Sequence, residues 1–179
     1  GIPKEADQNN LAPTTSTTAQ LVMGDALAIC LMELSGFKAE DFARSHPGGA
    51  LGKALNVKLG HLLQPHKKPV VTPDTTIKAV ISEISTKLVG ATAVVQDNQV
   101  VGVITDGDLR RMMQSAGDFS TLKAQDIMAK KPIVLNSDTL AKKALTLMQE
   151  KEISQIIVVD ANTYIGIVHI HDILNEGIN

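Results

Sequence analysis

Cysteine occurs once in this sequence, as Cys30, so neither an internal disulfide nor a Cys-x-x-Cys pair can form within the chain. That usage suits a reducing cytoplasm. Tryptophan is absent and aromatics make up only 2% of the 179 residues. Charge of either sign is not in excess, since 17 Lys and Arg against 19 Asp and Glu leave a net charge of -2. The basic residues fall in scattered pairs, Lys67-Lys68, Arg110-Arg111, Lys130-Lys131 and Lys142-Lys143, with no aromatics between them, which argues against a nucleic-acid partner. No apolar stretch is read as reaching the roughly 18 residues of a membrane span, and no basic start leads an apolar core as in a signal peptide, so no membrane partner is expected. The chain opens on Gly1 in mid-pattern and reads as a fragment of something longer.

What is present is a duplication. Gly102-Val-Ile-Thr-Asp-Gly-Asp-Leu109 and Gly166-Ile-Val-His-Ile-His-Asp-Ile173 share a layout at a fixed offset of 64 positions, and Asp74-Thr75, Lys78, Lys87 and Val94-Val95 find their counterparts at the same offset. A fixed offset means two copies of one supersecondary unit that pack on each other. Each copy reads as a short extended piece (69–72; 132–135) and then a helix that Asp74 or Asp138 can cap. Two strands follow, 91–96 and 100–105 in the first copy, 155–160 and 164–169 in the second, joined by Asp97-Asn98-Gln99 and Ala161-Asn162-Thr163. Short polar loops between β-branched runs predict hairpins, and closing helices begin near Asp106 and Ile170. The order β-α-β-β-α, twice, predicts an α/β (α+β) fold with helices on one side of each small sheet.

Residues 1–56 have no counterpart in the repeat. A polar, turn-rich start leads to Ser16-Thr17-Thr18, suited to capping a helix. From Ala19 to Leu34 the apolar residues cover nearly every face, which predicts a helix enclosed on several sides, ended by Gly36. A short helical patch from Ala39 to Arg44, the turn Ser45-His46-Pro47-Gly48-Gly49 and an amphipathic stretch from Ala50 to Asn56 complete this head. It is too short and too helical to close a domain alone, so it is expected to be the last piece of one.

The duplicated layout resembles a tandem pair of cystathionine-beta-synthase (CBS) domains, with 57–120 as the first and 121–179 as the second. In that family a Ser or Thr at the end of the last strand, and an Asp three residues later, hold the phosphate and ribose of a nucleotide. The resemblance carries these roles to Thr105 and Asp108. The chemistry suits them, since a hydroxyl can donate to phosphate and a carboxylate can accept from two ribose hydroxyls. The second copy keeps Asp172 but has His169 in place of the hydroxyl. An imidazole can still donate, with a strength that depends on pH. The first copy is therefore the expected ligand site. CBS pairs that bind nothing and serve for oligomerisation form the alternative.

The head has its own resemblance. Leu11 to Ala28, followed by Phe42-Ala-Arg-Ser-His-Pro-Gly-Gly-Ala-Leu-Gly52, is similar to the C-terminal end of the sugar isomerase (SIS) domain in the D-arabinose 5-phosphate isomerase family, where an SIS domain precedes a CBS pair. That resemblance implies interconversion of ribulose 5-phosphate and arabinose 5-phosphate for Kdo and lipopolysaccharide synthesis, with a sugar phosphate as substrate and His46 as a catalytic residue. Ketose to aldose isomerisation proceeds through an enediol and needs a base near neutrality and an acid, and a histidine can serve as either. The plainer reading is that His46 merely caps the 39–44 helix. The resemblance implies no required cofactor, a regulatory nucleotide (CMP-Kdo or an adenine nucleotide), homo-oligomers and a cytoplasmic location. A metal is not expected at His169-Ile-His171-Asp172, because residue 169 ends a strand and residue 171 begins a helix, so the two rings need not face the same way. His61 and His66 are read as solvated surface, Asp25 as an interface or polar-network residue, and Arg110 and Arg111 as a solvated helix face within reach of an effector phosphate.

Overall fold

The computed structural model describes residues 1–115 and 118–178. The chain divides into two compact units, Gly1–His46 and Pro47–Asn179.

The first unit is built on α1 (Thr15–Ser35), followed by α2 (Ala39–Ser45). At the C-terminus of α1, Gly36 takes the left-handed conformation (φ 64), and the Phe37 amide returns 2.9 Å to the Met32 carbonyl. A side chain with a Cβ is strained in that conformation, which is why glycine stands there. At the N-terminus the expected Ser16-Thr17-Thr18 cap is replaced by a more distant group. Ser16, Thr17 and Thr18 lie inside the helix, and the Glu5 carboxylate accepts from the amides of Thr14 (2.9 Å) and Ser16 (3.1 Å). The Ser16 hydroxyl and these two amides hold the Glu5 carboxyl at about 2, well below its ordinary value. No residue of α1 is buried, and Leu21, Val22, Met23, Leu27, Ile29 and Leu31 all stand exposed. Against the sequence expectation, this helix is long and apolar enough to cross a membrane by length and composition alone, although core helices of soluble proteins pass the same test. Gly24-Asp25 and the hydroxyl residues at its start interrupt the apolar run, yet the mean hydropathy of the helix stays at 1.3.

The second unit begins with α3 (Ala50–Asn56), α4 (Leu59–Leu62) and a single 3₁₀ turn at Pro65–Lys67. The first repeat then runs β1 (Val70–Val71), α5 (Ile77–Lys87), β2 (Ala91–Gln96), β3 (Gln99–Thr105) and α6 (Asp106–Ser115). After α7 (Ala124–Ile127) and β4 (Ala129–Lys130), the second repeat runs β5 (Val134–Asn136), α8 (Ala141–Glu150), β6 (Gln155–Asp160), β7 (Thr163–His169) and α9 (Ile170–Asn175). The sheets have the orders β1-β2-β3-β4 and β5-β6-β7, each with a parallel outer pair and an antiparallel hairpin. The hairpins match the sequence reading to within a residue. Asp97 and Asn98 (φ 51 and 63) and Ala161 and Asn162 (φ 45 and 65) make the tight turns, whose backbone twist matches that of the flanking strands.

The repeats are interlocked by the segments that precede them. Leu59 of α4, fully buried, belongs to the core of the second repeat with Leu145, Met148, Val158 and Val168. Ala124 of α7 belongs to the core of the first, with Ile77, Val80, Ile84 and Ile104. Backbone bonds fasten both exchanges: the Leu59 and Gly60 amides donate to Thr139 and Ser137, and the Ala124 and Gln125 amides donate to Thr75 and Pro73. This corrects the reading of Asp74 and Asp138 as caps. The helices start three residues further on, after Thr76 and Leu140, and no side chain caps either start. Instead Lys123 reaches Asp74 (2.6 Å) and Lys58 reaches Asp138 (3.0 Å), one cross-strap per repeat.

The duplicated glycines have a packing reason. A Cβ on Gly102 would lie 2.5 Å from the Met128 sulfur, and one on Gly166 would lie 2.7 Å from Cδ2 of Leu63. In both repeats a side chain of the exchanged segment crosses the strand where the glycine leaves room.

A third core joins the two sheets: Val89, Ala91 and Ala93 meet Ile157, Tyr164 and Ile167. Tyr164, 3% exposed, donates its hydroxyl to the Pro69 carbonyl at 2.6 Å. Burial, reinforced by the nearby Glu83 carboxylate, pushes its phenol far above the ordinary 10.0. Above that value the unfolded chain loses a proton that the folded chain keeps, so stability falls as pH rises beyond it. Because this is the only tyrosine, an alkaline absorbance titration reads it directly. Phenolate absorbance is expected to appear together with loss of the far-ultraviolet dichroism; phenolate forming in a chain of intact dichroism would contradict the burial.

Candidate functional site

The strand-end residues singled out by sequence are each tied to their aspartate. In the first repeat Asp108 Oδ2 accepts from the Thr105 amide (2.8 Å) and hydroxyl (2.7 Å). Its Oδ1 is taken by the Arg111 guanidinium at 2.5 Å. In the second repeat Asp172 Oδ2 accepts from the His169 amide at 2.8 Å, while Oδ1 has no partner among the described residues. Each aspartate thus closes the first turn of its helix, a structural role independent of any ligand. Only Asp172 keeps an oxygen to spare.

The cavities differ in the same sense. Thr105 opens on a hollow of about 120 Å³ lined largely by Pro132, Ile133, Ile153, Ile157 and Ile167. His169 and Asp172 open on a cleft of about 420 Å³, whose other walls include Gln64, Lys67, Gly90 and Asp106. Small-molecule sites are typically about 300–1,000 Å³, so only the second has the size of one. Gln155 and Ile167 border both, so the two hollows are neighbours.

At His169, Nδ1 accepts from the His171 amide at 3.1 Å. That bond leaves Nε2 as the ring nitrogen able to donate to a ligand. Partial burial, and then the His171 imidazole, push the His169 ring below its ordinary value, with Asp172 opposing them. The two rings meet edge to face, 4.7 Å between centroids. The sequence reading left open whether the two rings face the same way, and they do, because His171 lines the same cleft as His169.

The structure brings His169 and Asp172 to one cleft and Thr105 to another, with Asp108 bonded to Thr105 but not itself in the wall of that hollow. His46 stands in the other unit, directly after α2, exposed, with its ring stacked on Phe42 at 4.5 Å and its amide 2.9 Å from the Phe42 carbonyl. Neither Gly48 nor Gly49 uses the left-handed conformation. Sequence reasoning missed Gln64, Lys67, Gly90 and Asp106 as cleft residues. The lysine- and proline-rich connector holding Gln64 and Lys67 reads as solvated surface unless its path between the repeats is known. Arg111 stands exposed on its helix face, as expected, and its ion pair with Asp108 is what the sequence did not show.

Two small mixed sheets, interlocked as a pseudo-symmetric pair with clefts at the strand ends, define a duplicated α/β module, and the chain belongs to the CBS domain family. Residues 60–115 and 124–179 each match the CBS domain. Over 99% of its length it is 42% identical to the arabinose 5-phosphate isomerase KdsD of Yersinia pestis, covering 55% of that protein. The chain thus spans about half the length of the curated relatives it matches. Among solved structures it is similar to CBSX2 of Arabidopsis thaliana in complex with AMP (TM-score 0.58, 24% identity, 68% of this chain and 96% of that one). A CBS domain protein of Pyrobaculum aerophilum complexed with AMP is equally near (TM-score 0.58, 22% identity, 65% and 89%). At these identities the two structures speak for the fold alone.

Proposed function

We propose that the chain is the regulatory end of a cytoplasmic arabinose 5-phosphate isomerase, interconverting D-ribulose 5-phosphate and D-arabinose 5-phosphate for Kdo and lipopolysaccharide synthesis. The observation that carries this is the reach of the similarity: 42% identity extends over 99% of the chain, through the helical head as well as the CBS pair. A partner shared only through its CBS domains would match 60–179 and stop there.

On this reading residues 1–56 close an SIS domain, and 57–120 and 121–179 are its two CBS domains. His46 contributes to the isomerase site as acid or base for the enediol, with the other catalytic groups outside these 179 residues. The exposed apolar surface of α1 is then covered by the remainder of that domain and by a second copy, in a homo-oligomer. A coupled assay on ribulose 5-phosphate tests this: the longer enzyme should turn over and this chain alone should not. Appreciable turnover by the chain alone, or none by the longer enzyme, would overturn it.

The effector is a nucleotide, held in the 420 Å³ cleft at His169 and Asp172. The pattern at Thr105 and Asp108 favours the first copy, but Arg111 occupies its carboxylate and the hollow there is small. The AMP held by the two structural neighbours supports an adenine nucleotide; CMP-Kdo, the activated product of the pathway, is the rival for feedback control.

A further inference from the structure

His46 follows Phe42 by one helical turn, and α2 between them is fixed at both ends. The Asp41 carboxylate accepts from the Lys38 amide at 3.0 Å, and the His46 amide donates to the Phe42 carbonyl at 2.9 Å. Residues four apart on a helix stand one above the other. The two rings lie nearly parallel, 18° between planes at a centroid distance of 4.5 Å. A stack of that spacing holds the imidazole by its face and leaves its edge open. Neither ring nitrogen of His46 has a partner among the described residues, so the side chain caps nothing and only the amide ends the helix. A catalytic imidazole is usually oriented by a third group bonded to its second nitrogen. Among the described residues no such group reaches His46, and the Phe42 face takes its place.

Resting on the reading of His46 as an acid or base of the isomerase, we propose that Phe42 is its positioning residue, holding the imidazole by one face so that both nitrogens stay free at the edge that meets the sugar phosphate. Proton transfer needs the nitrogen within hydrogen-bond reach of the proton it moves. An imidazole just past a helix end otherwise divides its time among staggered rotamers. The stack removes that freedom without using either nitrogen. A hydrogen-bonded orienting group would commit one nitrogen and fix the tautomer; an apolar face does neither, so the ring can give or take a proton at whichever edge atom faces the substrate. Phe42 orients the imidazole and does not hold the sugar phosphate, so its contribution falls on kcat and leaves KM alone.

The test uses the longer enzyme with ribulose 5-phosphate. Phe42→Leu keeps apolar bulk and a good helix former but removes the flat face, and kcat should fall by about tenfold to a hundredfold, the scale of a misplaced catalytic group, with KM unchanged. Phe42→Tyr keeps the face and should keep kcat. In a His46→Ala background Phe42→Leu should cost nothing further, because the residue it positions is gone. In this chain the His46 ring protons should show the upfield NMR shift of protons lying over an aromatic face, lost in Phe42→Leu and kept in Phe42→Tyr, a readout that needs no turnover. Wild-type kcat in Phe42→Leu, an equal loss in Phe42→Tyr, a loss that persists without His46, or ring protons without the shift overturns the inference and leaves His46 in the isomerase site. Wild-type kcat in His46→Ala overturns the reading of His46 itself.

Discussion

Leu59→Ala is expected to lower stability by about 2–5 kcal/mol, the range for truncating a buried leucine in a core that cannot collapse around the gap. The loss should register in the repeat to which Leu59 does not belong by sequence. The side chain is 0% exposed and sits among Leu145, Met148, Val158, Val168 and Ile173. Its amide donates to Thr139, and the Ala141 amide answers to Val57, so the segment is fastened on both sides and cannot slide to fill the void. Hydrogen exchange resolves the effect by position. Amides of β6 and α8 should lose protection first, ahead of those of β2 and α5, whose core holds Ala124 and not Leu59. Protection lost first in β2 and α5, or a stability change within about 0.5 kcal/mol, typical of surface substitutions, would contradict the interlock. The same geometry makes the pair cooperative, since neither repeat has a complete core without a segment from across the boundary.

That interlock marks where sequence reasoning ran out. The hairpins at Asp97-Asn98 and Ala161-Asn162 were legible because alternation, β-branching and turn chemistry are local signals, and the fixed offset doubled each of them. Gly36 as the end of α1 was legible for the same reason. The four-residue helices α4 and α7 carry too few positions for a helical period, and β4, two residues long, carries no alternation. Their exchange between repeats is a matter of tertiary path. Asp74 and Asp138 looked like caps because an aspartate before a helix usually is one; the lysines that claim them lie 49 and 80 positions away in sequence. Glu5 was missed as the cap of α1 because its partners are nine and eleven residues downstream. The motif residues at the strand ends were found, yet their inequality was not, because it depends on what Arg111 does with Asp108 and on how much space the walls leave.

That inequality sets the second large effect: Asp172→Ala should abolish the thermal shift produced by a nucleotide, and Asp108→Ala should leave it in place. A ligand at 100 times its dissociation constant adds roughly 2.7 kcal/mol to stability, and removing the carboxylate that would accept the ribose hydroxyls leaves them facing an apolar methyl. A hydrogen bond to a charged group contributes about 1.5–3 kcal/mol, so losing the pair reduces affinity by one to several orders of magnitude and removes the shift at ordinary ligand concentrations. The two substitutions share one structural cost, because each aspartate accepts the amide of the residue three before it at 2.8 Å, and Asp108→Ala also loses the Thr105 hydroxyl and the Arg111 ion pair. Losing either cap costs about 1 kcal/mol in the absence of ligand. The difference in ligand response between the variants therefore isolates the free Oδ1 of Asp172 from its capping role. A shift abolished by Asp108→Ala and spared by Asp172→Ala would move the effector to the smaller hollow. Binding there requires Arg111 to release Asp108 and the isoleucine-lined walls to open.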